Sequence, residues 1–148
     1  MLNTVSVGDI GESMAIVKFT KAQCSVSKPL TNNTRYDFIV DINKRLYRVQ
    51  VKTTQFIKDS SVMEFAMKTT NYTKGNWSSN EYTSDEVDLF FFYCIENDWC
   101  GLYVVNGDIP KNISIRLVPA KNNQTKGINL AESFSFDRQI ASLTQLVE

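Results

Sequence analysis

Leu89-Phe90-Phe91-Phe92-Tyr93-Cys94-Ile95 is apolar at every position. Successive side chains of a strand point to opposite faces of a sheet, so such a run needs a layer packed against each face. It predicts a central strand covered on both sides. At 148 residues the chain can bury one substantial core but not two, which sets the expectation of a single domain spanning residues 1–148. An apolar content of 43% with ordinary charge content argues for a globular chain over a disordered one.

The other periodicities supply the remaining elements. Asp9 is a candidate helix cap, with Ile10, Met14 and Val17 at helical spacing behind it and the helix running to Lys21. Cys24 to Ser27 reads as a short strand closed by Lys28-Pro29, and Leu30 to Thr34 as a loop. Tyr36 to Ile42 and Arg45 to Thr53 alternate in polarity, with Asn43-Lys44 between them as the turn of a hairpin. Ser61 to Lys68 is expected to be a third strand of the same sheet. Asn71 to Ser84 is polar, interleaved with Tyr72, Trp77 and Tyr82, and reads as a long loop. Gly101 to Val105 and Ile113 to Val118 are further strands, the first followed by an Asn106-Gly107 turn. Phe136, Ile140, Leu143 and Val147 line one face of a closing helix. This order predicts an α/β fold with a mixed central β-sheet flanked by helices.

The chain has no histidine. That excludes His-based zinc sites and both Ser-His-Asp and Cys-His catalysis. Cys24, Cys94 and Cys100 show no metal-ligand spacing and are expected to be free, mostly buried thiols. Any hydrolytic chemistry must therefore run on carboxylates, a lysine and a bound metal. With no apolar run long enough to span a membrane and no leader-like start, a cytoplasmic location is expected.

Asp37 lies in the first strand of the hairpin and Gln50-Val51-Lys52 in the second. Gln50 and Lys52 share a face, while Val51 points the other way into a core. Pairing of the two strands would bring Asp37, Gln50 and Lys52 together, as oxygen ligands for a divalent cation with a lysine beside the attacking water. Glu12 adds a second carboxylate from the first turn of the helix, where it also suits the helix dipole.

Taken together, Gly8-Asp9-Ile10-Gly11-Glu12, Ser27-Lys28-Pro29, Tyr36-Asp37, Gln50-Val51-Lys52 and Tyr82 with Val87-Asp88-Leu89-Phe90 resemble the PD-(D/E)XK nuclease superfamily. The branch resembled is the homing endonucleases encoded in group I introns, which have a restriction-endonuclease-like core related to that of Holliday-junction resolvases. The resemblance covers roughly residues 8 to 105. Gln50 stands where the superfamily usually has Asp or Glu, and Tyr36 where it usually has Pro. An amide oxygen ligates a hard cation but brings no charge. The resemblance implies Mg²⁺, with Mn²⁺ able to substitute, held by Asp37, Gln50 and the Val51 carbonyl, with Glu12 binding directly or through water. It implies that Lys52 orients or deprotonates the attacking water. The implied activity is site-specific double-strand DNA cleavage that promotes intron mobility. The alternatives are a resolvase-like nuclease that reads junction shape, and a DNA-binding protein whose site has decayed through Gln50.

Net charge is zero, yet residues 1–75 carry eleven Lys and Arg against six Asp and Glu, and residues 76–148 carry five against ten. The split predicts one basic face turned toward phosphates. Lys28, Arg35, Lys44, Arg45 and Arg48 are the expected phosphate contacts, because they flank the proposed site in sequence. Asn122, Asn123 and Gln124, beside Lys121, carry amides suited to adenine edges, and Asn71 to Tyr82 is a second candidate for DNA contact. Asp88 is expected to be structural. One small active site cuts one strand, so a homo-oligomer, a dimer or dimer of dimers, is expected on double-stranded DNA.

Overall fold

The structure is a computed structural model that describes residues 1–145. It opens with α1 (Thr4–Lys21), capped by Asn3, whose side chain accepts the Ser6 N–H at 2.9 Å. The helix therefore starts more than a turn before Asp9. Asn3 satisfies one of the four free N–H groups of the first turn, which the β-branched Thr4, Val5 and Val7 obscure in the sequence. Strands follow as β1 (Ser25–Ser27), β2 (Phe38–Ile42), β3 (Arg45–Thr54), β4 (Val62–Ala66), β5 (Lys68–Thr73) and β6 (Asn76–Glu81). The chain continues through β7 (Leu89–Cys94), β8 (Trp99–Val104), β9 (Asn112–Arg116), β10 (Asn129–Leu130), α2 (Ala131–Phe134) and α3 (Phe136–Gln145). Val147, expected on the last helix, lies outside the described residues.

The main sheet has the order β1-β2-β3-β7-β8. It is mixed: β3 and β7 run parallel, and the other neighbours are antiparallel. As its composition requires, β7 is buried at every position. Leu89, Phe91 and Tyr93 face a core closed by α1 and α3, where Phe91 meets Phe19 at 5.8 Å and Phe136 at 5.9 Å between ring centroids. Phe90, Phe92 and Cys94 face a second core, where Phe65 stacks on Phe92 at 4.5 Å. Each of these phenylalanines contributes roughly 1.5–3 kcal/mol by leaving water.

The cover over the second core corrects the sequence reading. β4 does not join the main sheet; it pairs with β9, and β9 with β10, in a separate three-stranded sheet. Alternation of buried Met63 and Phe65 with exposed Glu64 and Ala66 shows that one face of β4 is covered. It does not say by what. The polar segment from Asn71 is not a loop either. β5 and β6 form a two-stranded ribbon in register from Lys68–Glu81 to Thr73–Asn76. Its turn is Lys74-Gly75, both at positive φ (54° and 79°), as a two-residue hairpin turn of the mirror-image type requires.

The register of β2 with β3 shapes the site. β2 begins at Phe38, opposite Val49, so β3 from Gln50 onward has no neighbour on that side. The result is a notch in the sheet edge.

Candidate active site

Asp37 stands at the mouth of this notch. Its N–H donates to the Val49 carbonyl at 2.9 Å, and its carboxylate accepts the Val51 N–H at 2.8 Å. A side chain thus completes the bonding that β2 would otherwise have continued. The Val51 carbonyl faces the same open edge, since N–H and C=O of one strand residue point to the same side. Gln50 Nε2 approaches that carbonyl at 3.5 Å, and the amide oxygen of Gln50 has no hydrogen-bond partner among the described residues.

Glu12 is delivered by a close helix–strand crossing. A Cβ added at Gly11 would lie 1.7 Å from Thr53 Oγ1 and 3.0 Å from Thr53 Cβ, so only glycine lets α1 approach β3 there. Its neighbour Glu12 then reaches the notch. A cleft of about 290 Å³ is lined by Glu12, Asp37, Gln50, Val51 and Lys52, with Thr4, Val7, Gly8 and Thr53 completing its wall. A second cleft of about 210 Å³, which includes Lys28 and Tyr36, shares Glu12 and Asp37 with the first. The five residues expected at the catalytic and metal positions are therefore brought together.

Lys52 lies on the same face as Gln50, and the two pair with Phe92 and Phe90 of β7. Its Nζ donates to the Lys68 carbonyl at 3.3 Å and sits 4.9 Å from the centroid of the Tyr82 ring. Tyr82 is buried, carries Arg35 on the same ring at 4.4 Å, and meets Phe90 edge-on at 5.5 Å. Sequence reasoning placed Tyr82 in the motif and in a DNA-contact segment but missed its contact with Lys52, and it missed the Lys68 carbonyl altogether. The available signal was that Tyr82 is the last aromatic before the apolar β7.

Electrostatics at the notch follow from burial. Burial pushes the Lys52 ammonium below the usual lysine range, with Asp37 opposing and Arg35 reinforcing the shift. Burial raises Asp37, although the Val51 N–H and the charges of Lys52 and Lys28 pull it down. Glu12 is also raised, first by burial and then by the negative charge of Asp37. Two desolvated carboxylates, an amide oxygen and a backbone carbonyl form an all-oxygen donor set, which fits a hard divalent cation. Among the described residues no three Asp, Glu, His or Cys gather at one point, so the donor set carries two negative charges.

The expected phosphate contacts are placed less uniformly. Lys28 lines the smaller cleft. Half-buried Arg35 donates to the Asn80 and Glu81 carbonyls at 3.3 and 3.4 Å and pairs with Glu86 at 3.6 Å. Arg48 is committed within the fold. It grips both Asp88 oxygens at 2.9 Å and also donates to the Asp85 and Ser84 carbonyls. Asp88 is structural in this sense, and its carboxylate also accepts the Arg48 N–H at 2.8 Å. Lys44 and Arg45 sit at the turn of the β2–β3 hairpin, at the opposite end from Asp37, rather than flanking the site. Exposed Lys121, Asn122 and Gln124 border a cleft of about 480 Å³ with Asp59 and Arg116, and Asn123 is exposed beside them. That cleft lies at the Val62 end of β4. Lys52 instead meets the chain at the Lys68 carbonyl, past the Ala66 end of that strand.

Comparisons with known proteins bear on this arrangement. Among solved structures, a bacterial homing endonuclease, I-Ssp6803I, is similar in fold. The TM-score is 0.73 at 21% identity, over 97% of this chain and 99% of that one. A comparison with curated proteins gave no match. The PD-(D/E)XK endonuclease family matches over residues 2–137, a span that includes Glu12, Asp37, Gln50 and Lys52. With its restriction-endonuclease-like fold and this match, the chain belongs to the PD-(D/E)XK endonuclease family.

Proposed function

We propose that this chain is a site-specific endonuclease of the homing type, hydrolysing phosphodiester bonds of double-stranded DNA with a divalent metal and acting as a homo-oligomer. The observation that carries the reading is the convergence of Glu12, Asp37, Gln50, Val51 and Lys52 on one cleft at the open edge of β3. Asp37, the Gln50 oxygen, the Val51 carbonyl and Glu12 would hold Mg²⁺, for which Mn²⁺ can substitute. When bound, such a cation supplies polarisation of the phosphoryl oxygen and a more acidic water.

The chain's own residues do the rest. Asp37 is fixed by the Val51 N–H, so its free oxygen has one direction available. Lys52 is held by the Lys68 carbonyl and the Tyr82 ring, with its ammonium partly destabilised by burial. An amine in that state can orient water, accept its proton and offset charge that develops on the phosphate. Lys52→Ala is expected to slow Mg²⁺-dependent cleavage of target duplex by roughly 100-fold or more while duplex binding persists. Equal cleavage rates for the two proteins would remove Lys52 from the mechanism.

The amide at position 50 supports a second reading, a DNA-binding protein that no longer cuts. Gln50→Glu separates the two. In an active enzyme the added charge should lower the Mg²⁺ concentration needed for half-maximal rate by about tenfold, the equivalent of 1.4 kcal/mol. In a decayed one, cleavage should be absent from the native chain and emerge in the variant.

A further inference from the structure

We propose that the β5–β6 ribbon enters the major groove of DNA and reads base edges with one of its two faces. The proposal rests on the DNA-cleaving reading of the adjacent site for the identity of its partner. β6 is exposed at every residue and β5 from Thr70 onward, so the ribbon leaves the body with neither face covered over most of its length. A lone two-stranded ribbon is marginal in water. This one is stiffened by its two-residue turn and by Tyr72 against Trp77, 4.9 Å apart across the strands.

Register sorts the side chains. Lys68, Thr70 and Tyr72 lie opposite Glu81, Ser79 and Trp77 on one face. The other face carries Thr69, Asn71 and Thr73 opposite Asn80, Ser78 and Asn76. Every residue of this second face bears an amide or a hydroxyl, and none is charged or apolar beyond a threonine methyl. Thr69 and Ser78 donate to the cross-strand carbonyls of Asn80 and Asn71, and their hydroxyl oxygens retain lone pairs that can accept. The side-chain amides of Asn71, Asn76 and Asn80 have no partner among the described residues.

That composition discriminates between partners. A face built for another protein would place apolar or aromatic groups at its centre. A face built for phosphates alone would carry Lys and Arg. Neutral amides each offer a donor beside an acceptor, the pairing that adenine presents in the major groove, and hydroxyls serve any base. Dimensions agree. The major groove, about 12 Å wide, admits a two-stranded ribbon. Six residues at about 3.3 Å each extend about 20 Å, the length of roughly six base pairs.

The root of the ribbon is continuous with the catalytic notch. Lys52 Nζ bonds the Lys68 carbonyl, and Arg35 bonds the carbonyls of Asn80 and Glu81. The bases read by the ribbon therefore stand at a fixed offset from the phosphate that is cut.

The test is selection of randomised DNA duplexes by binding, without added metal. The native chain should enrich a defined sequence. Asn71→Ala with Asn80→Ala should erase preference within one contiguous block, by roughly tenfold per position, and leave preference outside it intact. Asn71→Arg should redirect one position of that block toward guanine, a gain that misfolding does not produce. The proposal is overturned by unchanged preferences in both variants, by uniform weakening on all sequences, or by absence of duplex binding in the native chain. It is also overturned if the variants alter only sedimentation mass, which would assign the ribbon to a second copy of the chain. Cleavage of the enriched duplex with Mg²⁺ is read separately, since a bound but uncut duplex removes the endonuclease reading and leaves the ribbon's role standing.

Discussion

On the ring of Tyr82 rest two cations, Arg35 at 4.4 Å and Lys52 at 4.9 Å. Attraction of this kind is worth about 0.5–2 kcal/mol, with the upper end applying where water is excluded. Tyr82 is buried, so its ring fixes the height at which the lysine enters the notch. Tyr82→Phe keeps the ring and should cleave at near the native rate. Tyr82→Leu should lower kcat by about tenfold with KM little changed, the size expected when one such contact is lost. Equal kcat in the two variants would leave the Lys68 carbonyl as the only anchor. Gln50 and Lys52 were legible in the sequence because a period of two fixes which residues share a face, whereas Asp37, expected within the first strand, stands one residue ahead of it and is placed by the Val51 N–H. The seat of Tyr82 beneath Lys52 was not legible, although Tyr82 was noted in the motif, because thirty residues separate the two and no periodicity links them. Arg48 was legible as a basic residue beside the motif, but its commitment to Asp88 depends on a pairing of β3 with β7 that sequence alone does not announce.

Among the elements, α1 and β3 meet where Gly11 passes Thr53. Gly11→Ala would place its Cβ 1.7 Å from Oγ1 and 3.0 Å from Cβ of Thr53; a turn about χ1 moves Oγ1, but the close contact with Cβ stays. Overpacking of this kind costs about 1–3 kcal/mol, and it would also lift Glu12 from the notch. Lower thermal stability and slower cleavage are therefore expected together, and Gly11→Ala with Thr53→Ala, which removes the 1.7 Å contact with Oγ1 but keeps the 3.0 Å contact with Cβ, should recover both in part in melting and rate measurements. A stable Gly11→Ala protein with unchanged cleavage would show that α1 does not depend on this contact for its position. The elements that the sequence left unread share a cause. β5 and β6 are polar on both faces, so no hydrophobic alternation marks them as strands. β4 alternates clearly, but which sheet it joins is settled by its long-range pairing with β9. β7, apolar on both faces, was read correctly because burial on both sides leaves no other pattern.

Across the whole molecule, two cores share one strand, and the acid side of stability should follow Asp88. The Arg48 guanidinium holds the Asp88 carboxyl below the usual carboxylate range. A carboxyl depressed in the folded chain contributes stability that is present above its unfolded value, near 3.9, and is lost as pH falls through its folded value. Urea midpoints of Asp88→Asn should therefore fall below native values at neutral pH and converge with them in strong acid. Parallel curves at every pH would place the contribution in packing instead. Asp88 and Asp37 occupy equivalent stations, each one residue ahead of a strand that flanks β3, and each accepts a β3 backbone N–H. In Asp37 the same carboxylate is both scaffold and proposed reagent. A descendant chain that stopped cutting DNA would still need an oxygen there to keep its sheet from fraying. Lost activity in this lineage would accordingly be recorded at the lysine, which the architecture can spare, before it is recorded at the aspartate.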